Sequence, residues 1–190
     1  MIRKHFYLGC LSFMLILSPS ILWAAESVDG APGVATQRHD MHSCSLKAGT
    51  PVLLTYVSGI DVSRNLLLCQ DSPLDFGQNF PPTNESVDGD NEPPTQESGM
   101  HACPRKQAVT GVHVNNNWLA CAPYFAANDP SLTEEVRLDP SRSWLCNRFG
   151  WFCEAATQRK GMHACREGEV VKGIHVENNI LLCGKVYKTL

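Results

Sequence analysis

The string Thr-Gln-x-x-x-Met-His-x-Cys occurs three times, beginning at Thr36, Thr95 and Thr157 and ending at Cys44, Cys103 and Cys165. A second cysteine follows each copy, at Cys69, Cys121 and Cys183. From Thr95 and Thr157 the chain aligns with itself over 27 residues without a gap, with 15 identities. Recurrence of this kind means a body assembled from supersecondary units, none of which buries a core alone.

Within each unit the pieces read as a β-hairpin. Val57-Ser-Gly-Ile-Asp-Val62, Val109-Thr-Gly-Val-His-Val114 and Val171-Lys-Gly-Ile-His-Val176 are β-branched and too short for amphipathic helices. Three polar residues follow, the last always asparagine (Asn65, Asn117, Asn179), and then an apolar run ends in the second cysteine. Hairpin loops of this length need a residue at positive φ, which Asn tolerates best after Gly. Gly59, Gly111 and Gly173, inside the first strand, predict a bulge or a close backbone approach. The first unit carries seven extra residues between Cys44 and Gly59.

Residues 1–24 read as a secretory signal peptide: a basic start (Arg3, Lys4, His5), an apolar run to Trp23, and small residues at Ala24 and Ala25. The protein is therefore expected to be secreted or periplasmic, with no membrane span after cleavage. Cys10 leaves with the leader, so eight of nine cysteines remain, the even count of a disulfide framework. Repeat symmetry assigns the bridges Cys44–Cys69, Cys103–Cys121 and Cys165–Cys183, with Cys146–Cys153 pairing the remaining two. Losing Arg3 and Lys4 takes the net charge from −3 to about −5, with neither sign in a block. A nucleic-acid partner, which needs a basic stripe, is not expected.

The expected organisation is repeat 1 at 25–69, a Pro/Asn/Asp-rich linker at 70–94, repeat 2 at 95–121, an ordered connector at 122–156, and repeat 3 at 157–190. Glu26-Ser-Val-Asp-Gly30 recurs in the linker as Glu85-Ser-Val-Asp-Gly89 at the same offset from its repeat, so the duplicated stretch begins upstream of the Thr-Gln. In the connector, Ser131-Leu-Thr-Glu134 fits a capping box and predicts a short helix through Leu138. The fold class is all-β: three cysteine-bounded hairpins in one disulfide-stapled body with pseudo-threefold symmetry, plus that helix.

The recurring Met-His-x-Cys is the leading candidate for chemistry. On an extended segment His42, His101 and His163 share faces with Cys44, Cys103 and Cys165. The economical reading has each histidine hydrogen-bond a backbone carbonyl beside its disulfide. The functional alternative gathers the three on the threefold axis as a zinc or copper site, with Met41, Met100 and Met162 as soft ligands. A zinc site within one unit (His101, Cys103, His113, Cys121) needs reduced thiols, which export disfavours. Trp144, Trp151 and Phe152 offer a stacking surface for a protein or glycan ligand, weighed against core filling around a small disulfide loop. Asn84-Glu-Ser86 is a glycosylation sequon, meaningful in a eukaryotic host.

Neither Gly-x-Ser-x-Gly, His-Glu-x-x-His nor a phosphate-cradling glycine loop is present, and paired cysteines leave no thiol nucleophile. A binding or surface-structural module of unknown protein or glycan ligand is the expected function, without a cofactor. A metal-binding protein using the Met-His pairs is the alternative, and an enzyme comes third.

Overall fold

The computed structural model describes residues 25–30, 33–49, 51–72, 80–126, 128–140 and 156–188. Each unit supplies five strands. The first contributes β1 (Glu26–Asp29), β2 (Gln37–Arg38), β3 (Met41–Ser43), β4 (Tyr56–Asp61) and β5 (Leu66–Gln70). The second contributes β6 (Ser86–Asp88), β7 (Gln96–Glu97), β8 (Met100–Ala102), β9 (Gln107–His113) and β10 (Trp118–Pro123). The third contributes β11 (Leu132–Pro140), β12 (Gln158–Arg159), β13 (Met162–Ala164), β14 (Val170–His175) and β15 (Ile180–Lys188). The expected all-β architecture of three disulfide-stapled hairpins is what forms.

The three five-stranded sheets do not coincide with the three units. Their orders are β1-β5-β4-β13-β12, β2-β3-β9-β10-β6 and β11-β15-β14-β8-β7. In every unit the first strand flanks the unit's own hairpin, whereas the Thr-Gln…Met-His arm crosses onto the next unit's hairpin. The arm of unit 1 joins unit 2, that of unit 2 joins unit 3, and that of unit 3 returns to unit 1. The exchange closes on itself, so the hairpins, which would each be marginal alone, share every seam.

One central cluster fills the axis, and each unit adds side chains from the same five positions to it. Val57, Ile60 and Leu67 come with Cys44 and Cys69, and Val109, Val112, Leu119 and Val171, Ile174, Leu181 come with their own cysteine pairs. Burying an aliphatic side chain of this kind contributes roughly 1.5–3 kcal/mol. The bridges Cys44–Cys69, Cys103–Cys121 and Cys165–Cys183 form as the repeat symmetry predicted. Each ties the end of an arm, already on the neighbouring sheet, back to its own hairpin. Cys146 and Cys153 lie outside the described residues, as do residues 1–24, read from the sequence as a signal peptide.

The hairpin loops also follow expectation, with Asn65, Asn117 and Asn179 at φ of 51°, 54° and 48°. Register shifts accompany Gly59, Gly111 and Gly173, where the visiting arm packs against the glycine backbone.

The helix expected through Leu138 is a correction. Residues 132–140 form β11, which pairs with β15 in nine consecutive register positions. A capping box needs free backbone N–H groups to satisfy, but this segment's backbone is taken up by a long antiparallel ladder. Tertiary pairing thus overrides a weak local propensity. Of the stretch 70–94 read as a linker, residues 70–72 and 80–94 are described; Gln70 ends β5, and Ser86–Asp88 is β6, an edge strand of the second sheet.

Candidate functional site

Each arm is pinned where it leaves its own sheet. Asp29, at the end of β1, accepts the Thr36 backbone N–H at 2.8 Å and the Thr36 hydroxyl at 2.5 Å. Its Oδ1 also receives His42 Nε2 at 2.9 Å. Asp88 makes the same contacts with Thr95 (2.8 and 2.5 Å) and His101 (2.7 Å). Asp139 repeats them with Thr157 (2.9 and 2.5 Å) and His163 (3.0 Å). All three histidines are buried. They meet carboxylates, not the backbone carbonyls that the sequence suggested.

Burial pushes each of these aspartates up, yet the hydrogen bonds converging on it win. Thr36, Ser45 and His42 hold Asp29 below the ordinary carboxylate range. Thr95 and His101 do so for Asp88, and Thr157, Arg137 and His163 for Asp139. A carboxylate that accepts two or three such bonds stays ionised.

The other ring nitrogen distinguishes the units. His42 Nδ1 and His163 Nδ1 lie 3.1 Å from the amide oxygens of Asn65 and Asn179. His101 Nδ1 is buried with no partner, although Asn117 occupies the corresponding loop position.

The clusters open onto the seams at the hairpin-loop end. A cavity of about 420 Å³ lies between units 2 and 3, lined by Gln96, Gly99, Met100, His101, Val114, Asn117, Ile174, His175, Val176 and Glu177. A second, of about 360 Å³, lies between units 3 and 1 and includes Asp61, Gln158, Gly161, His163 and Asn179. The third seam, at His42 and Asn65, holds only about 20 Å³. Val62, Val114 and Val176 are each shared by two cavities, which places them around the axis between the seams.

The three Met-His histidines therefore face three separate cavities and are not gathered at one point. Met41, Met100 and Met162 are buried beside them. Among the described residues, one group of three metal-ligating types lies within 4.8 Å: Cys165, Glu169 and Cys183. Its two sulfurs are joined in a disulfide, and Glu169 is paired with Arg137 at 2.7 Å. The single-unit set of His101, Cys103, His113 and Cys121 has its thiols in a bridge, and the His113 ring packs edge-on against Trp118. Trp144, Trp151 and Phe152 lie outside the described residues. Asn84 is exposed at the end of a 3₁₀ turn, Pro82–Asn84.

Sequence reading missed the aspartates. Asp29 and Asp88 stand in the recurring Glu-Ser-Val-Asp-Gly, seven residues before Thr36 and Thr95. Asp139 was concealed by an 18-residue separation from Thr157 and a changed context, Val-Arg-Leu-Asp-Pro. No protein family matches the chain, and neither does any characterised protein or solved structure.

Proposed function

We propose that the chain is an exported, disulfide-stabilised binding or surface-structural module whose ligand enters at the hairpin-loop end. One observation carries this reading: two open grooves, of about 420 and 360 Å³, sit on seams that covalent bridges hold in place. Grooves of this size suit small molecules or one protruding group of a larger partner. Disulfides crossing the core suit an oxidising compartment. Among the described residues no helix is long and apolar enough to cross a membrane.

The test is to express the full chain in a secreting host, map its cysteines and apply the exported protein to protein and glycan arrays. Oxidised protein that binds at least one feature saturably supports the reading. Protein retained in the cytosol with free thiols, or exported protein that binds nothing, overturns it. Stoichiometric zinc or copper that is lost in His101→Ala and His163→Ala would favour metal binding in its place.

A further inference from the structure

Among the described residues, the groove of about 420 Å³ coincides with the one Met-His histidine whose Nδ1 is unmet. In the first and third units an asparagine amide sits on that nitrogen. In the second unit Asn117 lines the groove, and His101, only 4 % exposed, keeps a bare Nδ1. Asp88, held ionised, accepts the Nε2–H, and the buried Nδ1, left without a partner, calls for a group such as a hydroxyl that can donate to it or accept from it.

The rest of the lining narrows what carries that group. Val114, Ile174 and Val176 give an apolar floor, while Gln96 and Asn117 present amides that both donate and accept. No Lys or Arg lines the groove and the exposed Glu177 does, so an anion is not rewarded there, whereas a hydroxyl can donate to that carboxylate. A neutral ring with C–H groups on its faces and hydroxyls around its edge matches this division. We infer that the groove between units 2 and 3 binds a neutral, hydroxyl-bearing ring compound of pyranose size, anchored at His101 Nδ1 and Asn117. The inference rests on the binding-module reading and names the chemistry of one of its grooves.

The test follows the His101 ring nitrogens by long-range ¹H–¹⁵N NMR in the full chain. Glucose, galactose, mannose, N-acetylglucosamine and, separately, zinc chloride are titrated in. Asn117→Gly removes the amide yet keeps a residue that accepts positive φ, and Asn65→Gly is the same change at the closed seam. We expect at least one pyranose to move the His101 Nδ1 resonance saturably. Affinity should fall about tenfold in Asn117→Gly, the loss of one good hydrogen bond, and stay unchanged in Asn65→Gly. A resonance that no pyranose moves, a response equal in Asn117→Gly, or a response to zinc alone each overturns the inference. Array binding by protein whose His101 stays silent would sink this groove and leave the module reading standing, whereas failure of both would take the two together.

Discussion

A methyl group on Gly59 would stand 2.7 Å from the Cβ of Ala164 and 2.8 Å from the His163 carbonyl oxygen. The relationship recurs at Gly173, 2.8 Å from Ala102 Cβ and 2.7 Å from the His101 carbonyl oxygen, and at Gly111 against Ser43 and the His42 carbonyl. These glycines are where a crossing arm meets the next unit's hairpin, so the closed exchange depends on their missing side chains.

Gly59→Ala and Gly173→Ala are therefore expected to destabilise by about 1–3 kcal/mol or more, because ladder backbone cannot step aside as a side chain can. Gly33→Ala, with nothing within 4 Å, should fall within about 0.5 kcal/mol of wild type. Denaturant unfolding measures both, and equal midpoints for Gly33→Ala and Gly59→Ala would refute the close-approach account.

Acid should loosen the arms. Asp29, Asp88 and Asp139 have folded values below the ordinary 3.8, so their contribution is complete above that value. It is lost as pH falls through the depressed folded values, because the unfolded chain then binds the proton more readily. Thermal midpoints are expected to be insensitive to these groups near neutrality and to drop below about pH 4. Asp139→Asn, costing about 1–3 kcal/mol at neutral pH through weaker acceptance, should flatten that drop. An unchanged acid slope in the variant would count against it.

How far the fold could be read from sequence is best judged at particular residues. Asn65, Asn117 and Asn179, with Gly59, Gly111 and Gly173, are local signals: a backbone angle and a missing Cβ can be inferred from residue type alone. The three repeat disulfides were legible because three copies of one motif, each followed by a second cysteine, select one pairing out of many. That β3, β8 and β13 pair with foreign hairpins was not legible, since partner choice is a long-range property and all three arms carry the same motif. Asp139 was hidden by the insertion before Thr157, and β11 by a capping pattern that a nine-residue ladder overrode. The candidate grooves are likewise products of the exchange, as each draws its walls from two units.

Removing a bridge should weaken a seam without redirecting it. Replacing Cys103 and Cys121 together by alanine opens a loop of sequence separation 18. On the chain-entropy model this costs roughly 3 kcal/mol, with a further penalty for the space left in the core. Unfolding of the double variant in denaturant gives the number. Peptide mapping of unreduced protein should still find Cys44–Cys69 and Cys165–Cys183, and scrambled pairs would contradict a seam-by-seam scaffold.

In each sheet a carboxylate at the strand flanking the hairpin meets a cation, but the cation's source changes. Visiting arms bring Arg38 to Glu85 at 2.8 Å and Arg159 to Glu26. Burial raises Glu85, but hydrogen bonds from Arg38 and Thr110 outweigh it and keep it ionised. The third sheet's visiting arm carries Glu97 at the corresponding position, and the cation comes from Lys172, fully buried on β14 and paired with Glu134. Ser58 and Thr110 occupy the Lys172 position in the other units. Lys172→Thr leaves Glu134, among the described residues, the Tyr124 hydroxyl and the Lys106 backbone N–H as partners, and is expected to cost about 3–5 kcal/mol. Lys172→Thr combined with Glu97→Arg puts a cation back on the visiting arm, opposite a carboxylate that stands two residues before Val136, the counterpart of Glu26 and Glu85, and should recover a substantial part of that loss. A double variant no more stable than Lys172→Thr would show that the third sheet does not accept its cation from the arm, and that the charge exchange between positions 97 and 172 is not compensatory.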